Sequence, residues 1–163
     1  MEIVAINQSH YPEISAIYKQ GIDTGNATFE ESVPSWENWN ESKLPHSRLV
    51  AFENSVVIGW AALSKVSDRC VYGGVAEVSV YVSESQRNKG IGRILMERLI
   101  KDSESNGIWT LQSGMFPENK ATIALHQLFG FRIIGYREKI GKLSGVWRDS
   151  ILMERRSKIV GID

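Results

Sequence analysis

From Glu2 to Asn7 apolar and polar residues alternate, the period of a strand with one buried face. Ser9 stands where a helix cap belongs, and Ile14, Ile17 and Tyr18 then recur at helical spacing, with Pro12 near the start. Gly21 to Thr28 breaks that helix, and Pro34-Ser35 opens a second, short one carrying Trp36 and Trp39. Arg48 to Glu53 and Val56 to Ser64 read as two strands around Glu53-Asn54-Ser55, most simply a hairpin. Gly73 to Val82 is the next strand. Its parity puts Glu77, Ser79 and Tyr81 on one face and Val78, Val80 and Val82 on the other.

Beyond it the period changes. Ile91, Ile94, Leu95 and Leu99 share one helical face in a segment reaching about Lys101, and Asn106-Gly107 closes it. Ile108 to Met115 is again a strand. The connection from Val82 to Ile108 thus holds a whole helix, which suits a right-handed parallel crossover. Ala121, Ala124, Leu125, Leu128 and Phe129 predict the apolar face of another helix, ended by Gly130. Phe131 to Gly141 and Val146 to Arg155 form a last pair of strands around Ser144-Gly145. This order predicts a mixed α/β (α+β) fold.

A chain of 163 residues suits one domain, here residues 1–163, with a sizeable core. Nineteen Lys and Arg balance nineteen Asp and Glu, so no basic field exists to gather nucleic acid. The single cysteine, Cys70, cannot form an internal disulfide and suits a reducing compartment; it is expected to be a partly buried bystander. No apolar run is long enough for a membrane helix, and Met1-Glu2-Ile3-Val4 lacks the basic start of a signal peptide. Cytoplasmic residence is the expectation, with no membrane partner and no metal.

The chemistry concentrates in Gln86-Arg87-Asn88-Lys89-Gly90-Ile91-Gly92-Arg93, between a β-branched strand and an amphipathic helix. Free N–H groups and the helix dipole at such a junction attract anions. A dinucleotide fingerprint would need a third glycine where Leu95 stands, and a P-loop would need Lys-Ser/Thr after a glycine, where Arg93-Ile94 stands. What remains is Arg87-x-x-Gly90-x-Gly92. That pattern resembles the acyl-CoA pyrophosphate loop of the GNAT acyltransferases. Glu77-Val78-Ser79-Val80-Tyr81-Val82 resembles the fourth strand of their phosphinothricin and methionine-sulfone (L-amino acid) N-acetyltransferase branch. Asn119 to His126 with Gly130-Phe131, Ala27-Thr28-Phe29-Glu30 with Pro34-Ser35-Trp36, and Trp147-Arg148-Asp149 with Met153-Glu154-Arg155 resemble its later helix, substrate loop and last strand. Several such segments in the right order are specific where one is not.

The resemblance implies a mostly antiparallel sheet of about seven strands flanked by about four helices, with one parallel crossover carrying the loop. It implies acetyl-CoA as cofactor. Backbone of Val80, Tyr81 and Val82 would pair with the pantetheine arm. Asn88, Lys89, Gly90, Ile91, Gly92 and Arg93 would hold the pyrophosphate, with Arg87 and Lys89 adding charge. Gly90 and Gly92 would permit close approach, and Asn119 would touch the CoA arm or simply cap its helix.

Acyl transfer from a thioester to an amine also needs a base, an oxyanion donor and a route for the thiolate. Glu77 is the unexpected carboxylate in an apolar strand, and desolvation there would favour a general base. The family assigns that role to a glutamate at this position. His126 is a second candidate for proton handling, and Tyr81 and Tyr136 are candidate acids. Backbone N–H near Val80 would meet the oxyanion, where a bulge is usual in the family. The implied acceptor is a small amine, in particular an amino acid or analogue, entered past Phe29, Glu30, Trp36 and Tyr72. Close relatives carry an arginine just after that tyrosine, suited to a carboxylate, but Gly73-Gly74 stands here. Arg69, Lys65 or a partner subunit would then take its place. Two alternatives stay open: an N-acetyltransferase for protein or peptide N-termini, and a non-catalytic acyl-CoA-binding module. A homodimer through the last strands, with Trp147 and Ile151 at its surface, is also expected.

Overall fold

The computed structural model describes residues 1–163. Its seven strands are β1 (Glu2–Ala5), β2 (Lys43–Glu53), β3 (Val56–Lys65), β4 (Val75–Val82), β5 (Thr110–Met115), β6 (Arg132–Leu143) and β7 (Val146–Arg156). The four α-helices are α1 (Tyr11–Asp23), α2 (Trp36–Ser42), α3 (Ile91–Ser105) and α4 (Lys120–Leu128). The strands form one sheet in the order β1-β2-β3-β4-β5-β7-β6. Only β4 and β5 run parallel, on either side of the α3 crossover; every other neighbouring pair is antiparallel.

Strand parity divides the core in two. On one face, Leu95, Met96 and Leu99 of α3 are fully buried against Ala61 and Leu63 of β3 and Ala76 and Val78 of β4. On the other, Ile14 and Ile17 of α1 and Trp39 of α2 pack on Val50, Trp60 and Ala62. Each buried Leu, Ile, Val or Met side chain among them contributes about 1.5–3 kcal/mol on leaving water.

The pairing of β3 with β4 runs unbroken from Gly59 opposite Val82 to Lys65 opposite Ala76, so the expected bulge near Val80 is absent on that edge. On the other edge β4 pairs with β5 only over Val75–Glu77, opposite Thr110–Gln112. β5 goes on pairing with β7 as far as Met115. Beyond Glu77, therefore, β4 and β5 part and the sheet opens.

Several local expectations need correction. Asn7, not Ser9, is the cap: its side chain accepts from the Ser9 amide and, with His10, closes a capping box on a short 3-10 turn that leads into α1. Gly21 does not break α1, which continues to Asp23. It is a close-approach glycine, since a Cβ there would lie 2.6 Å from the Tyr81 ring. On α4, Leu128 is 60 % exposed whereas His126 is buried. Residues two positions apart on a helix point to nearly opposite sides, so burying His126 turns Leu128 outward. Ile151 is core rather than surface, and Cys70 is exposed rather than partly buried.

Candidate active site

The opening between β4 and β5 is the floor of a cavity of about 1200 Å³. One end is the loop after β4. Asn88 (φ 61°) and Gly90 (φ 81°) both adopt left-handed backbone, which folds the chain into a concave turn before α3. Space around a Gly90 Cβ is open, so glycine is required there by φ and not by crowding. The amides of Asn88, Lys89, Gly90, Ile91, Gly92 and Arg93 donate to nothing within the protein; the first helical bond is Ile94 N–H to Gly90 O at 3.2 Å. Six adjacent free donors at the positive end of a fifteen-residue helix fit a pyrophosphate.

Arg87 and Arg93 also line this end. Lys89 does not: its ammonium donates to Gln86 Oε1 at 3.1 Å on the surface, because the left-handed turn points it away. Val80, Tyr81 and Val82 line the middle, along the β4 edge that β5 has left. The Tyr81 ring stacks on Trp60 (4.8 Å) and meets Tyr18 at a tilt (4.9 Å), and burial pushes its hydroxyl pKa up. Asn119 is both a cap and a wall: Oδ1 accepts from Thr122 N–H at 3.2 Å, Nδ2 donates to Asn26 O at 3.2 Å, and the residue faces the cavity.

The other end is a polar row running across the sheet. Lys43, Ser64, Glu77, Gln112 and Glu154 lie opposite one another in register on β2, β3, β4, β5 and β7. Directly paired residues point to the same face. Gln112 Nε2 donates to Glu77 Oε2 at 3.2 Å, and Lys43 Nζ donates to Ser64 Oγ at 3.0 Å. Glu77 lines the cavity but is exposed, not desolvated as expected, because the strand to its side departs at that residue. Its carboxylate is therefore open to an incoming amine or water.

His126 forms part of the wall where α4 meets β6. Its Nδ1 is held by Thr122 O at 2.8 Å, which makes Nε2 the acceptor; Nε2 is buried without a protein partner. Burial lowers its pKa and keeps the ring neutral, and Phe131 meets it edge-on at 4.8 Å.

Of the expected entry residues, Phe29 and Glu30 line the cavity. Phe29 packs edge-on against Phe116 at 4.8 Å. Trp36 does not line it: it stacks on Trp39 at 5.8 Å and against Tyr11, and Trp39, one turn along α2, faces the cavity instead. Tyr72 lies outside, 45 % exposed under the Arg69 guanidinium. Lys65 is paired with Asp68, and neither it nor Arg69 lines the cavity. Tyr136 is also outside, hydrogen-bonded to Asp149. Gly74 has no room for a side chain, since a Cβ would sit 2.0 Å from the Trp109 ring. Residues the sequence did not single out are Lys43, Ser64, Gln112, Ser113 and Arg137. Apart from Gln112 they line the cavity; Ser64, Gln112 and Ser113 were legible only as polar residues inside apolar strands, and Lys43 and Arg137 carried no such signal.

Comparison with known proteins matches this geometry. The Acetyltransferase (GNAT) family pattern covers residues 12–131. The chain is 30 % identical to the L-methionine sulfoximine/L-methionine sulfone acetyltransferase of Salmonella typhimurium, over 86 % of this chain and 85 % of that protein. It is equally, 30 %, identical to the phosphinothricin N-acetyltransferase of Alcaligenes faecalis, over 92 % and 79 %. Among solved structures, a phosphinothricin acetyltransferase from Sinorhizobium meliloti in complex with acetyl-CoA superposes with a TM-score of 0.89 at 26 % identity, over 99 % of this chain and 91 % of that one. A ribosomal-protein-alanine N-acetyltransferase from Brucella melitensis superposes at 0.90 with 28 % identity, over 96 % and 100 %. Sequence pattern, sheet opening and amide-lined loop agree, and the chain belongs to the acetyltransferase (GNAT) family.

Proposed function

We propose that this protein moves an acetyl group from acetyl-CoA to the primary amine of a small molecule, an amino acid or analogue of the methionine-sulfone or phosphinothricin type. The observation that carries the reading is the position of Glu77. It is the last β4 residue paired with β5, and it stands open in a cavity whose far end is lined by Asn88, Gly90, Ile91, Gly92 and Arg93, all with free amides. The names of the curated relatives support the acceptor class.

When bound, acetyl-CoA supplies the activated acetyl group as a thioester. The loop amides and Arg87 would hold its phosphates, and the unpaired β4 edge at Val80–Val82 would align its extended arm. Glu77 takes the proton of the amine, directly or through one water, and Gln112 orients the carboxylate by its hydrogen bond. β4 amides near Val80 would face the charge that develops on the acetyl oxygen. As the C–N bond forms, the C–S bond would break and CoA would leave as a thiolate, which the proton lost by the amine balances. Neutral His126, with Nε2 free, is a second proton acceptor in the wall.

A small acceptor is favoured over a peptide N-terminus by how the substrate loop is tied down. Arg148 donates to Gly25 O (2.8 Å) and Asn26 Oδ1 (3.1 Å), and Tyr11 donates to Pro34 O at 2.6 Å. The loop from Thr24 to Ser35 is thereby held over the acceptor end. We also place the protein in the cytoplasm, since its exposed Cys70 suits a reducing compartment. No helix is long and apolar enough to cross a membrane. Ile133, Tyr136, Ile140 and Trp147, all exposed on the edge pair β6–β7, would form the surface of a homodimer.

The test offers purified protein acetyl-CoA with amino acids, their sulfone and sulfoximine analogues, polyamines and short peptides, and follows free-thiol release. Turnover confined to amino-acid-type amines supports the proposal. Turnover confined to peptides selects the N-terminal reading, and CoA binding without turnover selects the binding module.

A further inference from the structure

The acceptor end contains a cation without a counter-ion. Lys43 opens β2 opposite Ser64, which is itself opposite Glu77. Adjacent strands are about 4.8 Å apart, so the lysine backbone starts about two strand spacings from Glu77. Its side chain crosses that gap: Nζ is 3.0 Å from Ser64 Oγ and 3.5 Å from Ser79 Oγ, over β4 itself. Both partners are neutral hydroxyls, and Lys43 takes part in no ion pair. An ammonium has three donors, and two are directed at serines. Burial pulls its pKa down, while the fields of Glu77 and Glu30 act the other way.

Most other basic residues are engaged or elsewhere. Arg48 donates to Asn40 and to the carbonyls of Leu44 and Lys43. Arg87 and Arg93 belong to the loop end. Arg137 also lines the cavity, from the edge strand β6, but is exposed to solvent, so it is the rival cation that the experiment must separate from Lys43. The position after Tyr72 carries no cation, and Trp109 fills the space over Gly74.

We propose that Lys43 receives the carboxylate of the acceptor, so that an α-amino acid lies with its amine toward Glu77 and its carboxylate on the Lys43 ammonium. The inference rests on the acetyl-transfer reading above. Lys43 and Glu77 form no ion pair although they share the row, so neither charge is satisfied by direct contact with the other. A dipolar ligand satisfies both at once. Its carboxylate gives the ammonium the charged partner that the protein withholds, a hydrogen bond stronger than those to hydroxyls.

The experiment compares wild type, Lys43→Met, Lys43→Arg and Arg137→Met on L-methionine sulfone and on the matching amine lacking the carboxylate, 3-(methylsulfonyl)propan-1-amine. The expected result is a kcat/KM for Lys43→Met that falls at least about tenfold more on the amino acid than on the amine, through KM. The KM for acetyl-CoA stays close to wild type, and Lys43→Arg recovers part of the loss. The Tm of Lys43→Met is no lower than wild type, because the substitution removes a desolvated charge. Equal losses on both acceptors, no loss on the amino acid, or a lower Tm with uniform loss would each overturn the assignment in favour of a structural lysine. A selective loss in Arg137→Met alone would move the carboxylate site there and overturn it too. A wild type that acetylates amines without preferring the carboxylate sinks this inference only. A wild type that binds CoA and acetylates nothing sinks the proposed function and this inference with it.

Discussion

The two ends of the cavity are built from different materials. The loop end is backbone: six consecutive amides, two left-handed residues and the start of one helix, all within residues 88–93. The acceptor end is side chain: Lys43, Ser64, Glu77 and Gln112, carried by four strands and brought level by register. A backbone site tolerates changes of side chain as long as the turn keeps its shape. A side-chain site keeps its shape under many backbone-neutral substitutions, yet each one changes what it recognises. The donor is common to a family while acceptors differ, and the material of each end suits that division.

The contrast can be broken most sharply at Glu77. Glu77→Gln keeps the size and the contact with Gln112 but removes the proton acceptor. Its kcat is expected to fall about 10²–10⁴-fold with CoA affinity kept. Full activity across pH would show that the base lies elsewhere. Next in size is Gly90→Val, which forces a β-branched residue to φ near +81°. Strain of about 1–2 kcal/mol should raise the Kd for CoA roughly tenfold, read by calorimetry. An unchanged Kd would mean that the turn is not the phosphate cradle.

His126 sits in the wall between the two ends, and its effect is on stability. Burial depresses its folded-state pKa below the ordinary 6.5. The unfolded chain then binds more protons in that window, so stability rises with pH across it. Stability is thus fully present above about 6.5 and is lost as pH falls through the lowered value. Thermal melts should show Tm dropping on acidification from that point, with a flatter profile in His126→Gln. An identical slope in both would remove His126 from the account. The smallest effect is expected from Lys89→Ala. Its side chain turns to Gln86 on the surface, so CoA affinity should change less than about twofold, as for a screened surface charge. A tenfold loss would show that side chains, and not only amides, build the loop end.

Legibility in the sequence followed the same division. The strand at Val75–Val82, the glycine turn and the helix from Ile91 are contiguous, so periodicity and glycine spacing located them together. The hairpin of β2 and β3 and the turn at Ser144-Gly145 were equally local. Sequence and structure differ where a distant contact decides. Gly21 reads as a breaker because nothing nearby in sequence announces the Tyr81 ring lying on it. Trp36 and Trp39 were indistinguishable until α2 docked and turned only Trp39 to the cavity. Glu77 was expected to be desolvated because its neighbours are apolar; that β5 leaves β4 at that residue is a fact of pairing, not of composition.

The sequence by itself determined the succession of strands and helices, the glycine turn at the head of α3 and the one carboxylate in the β4 run. Each of these rests on interactions between residues a few positions apart. Only the tertiary structure decided that Lys43, Ser64, Glu77 and Gln112 stand in one row, that the sheet opens at Glu77 and that Tyr72 lies outside the cavity. Register across a sheet is set by which faces of many strands bury together, and shifting one strand by a single residue would move every side chain on it to the other face. No single segment carries that information.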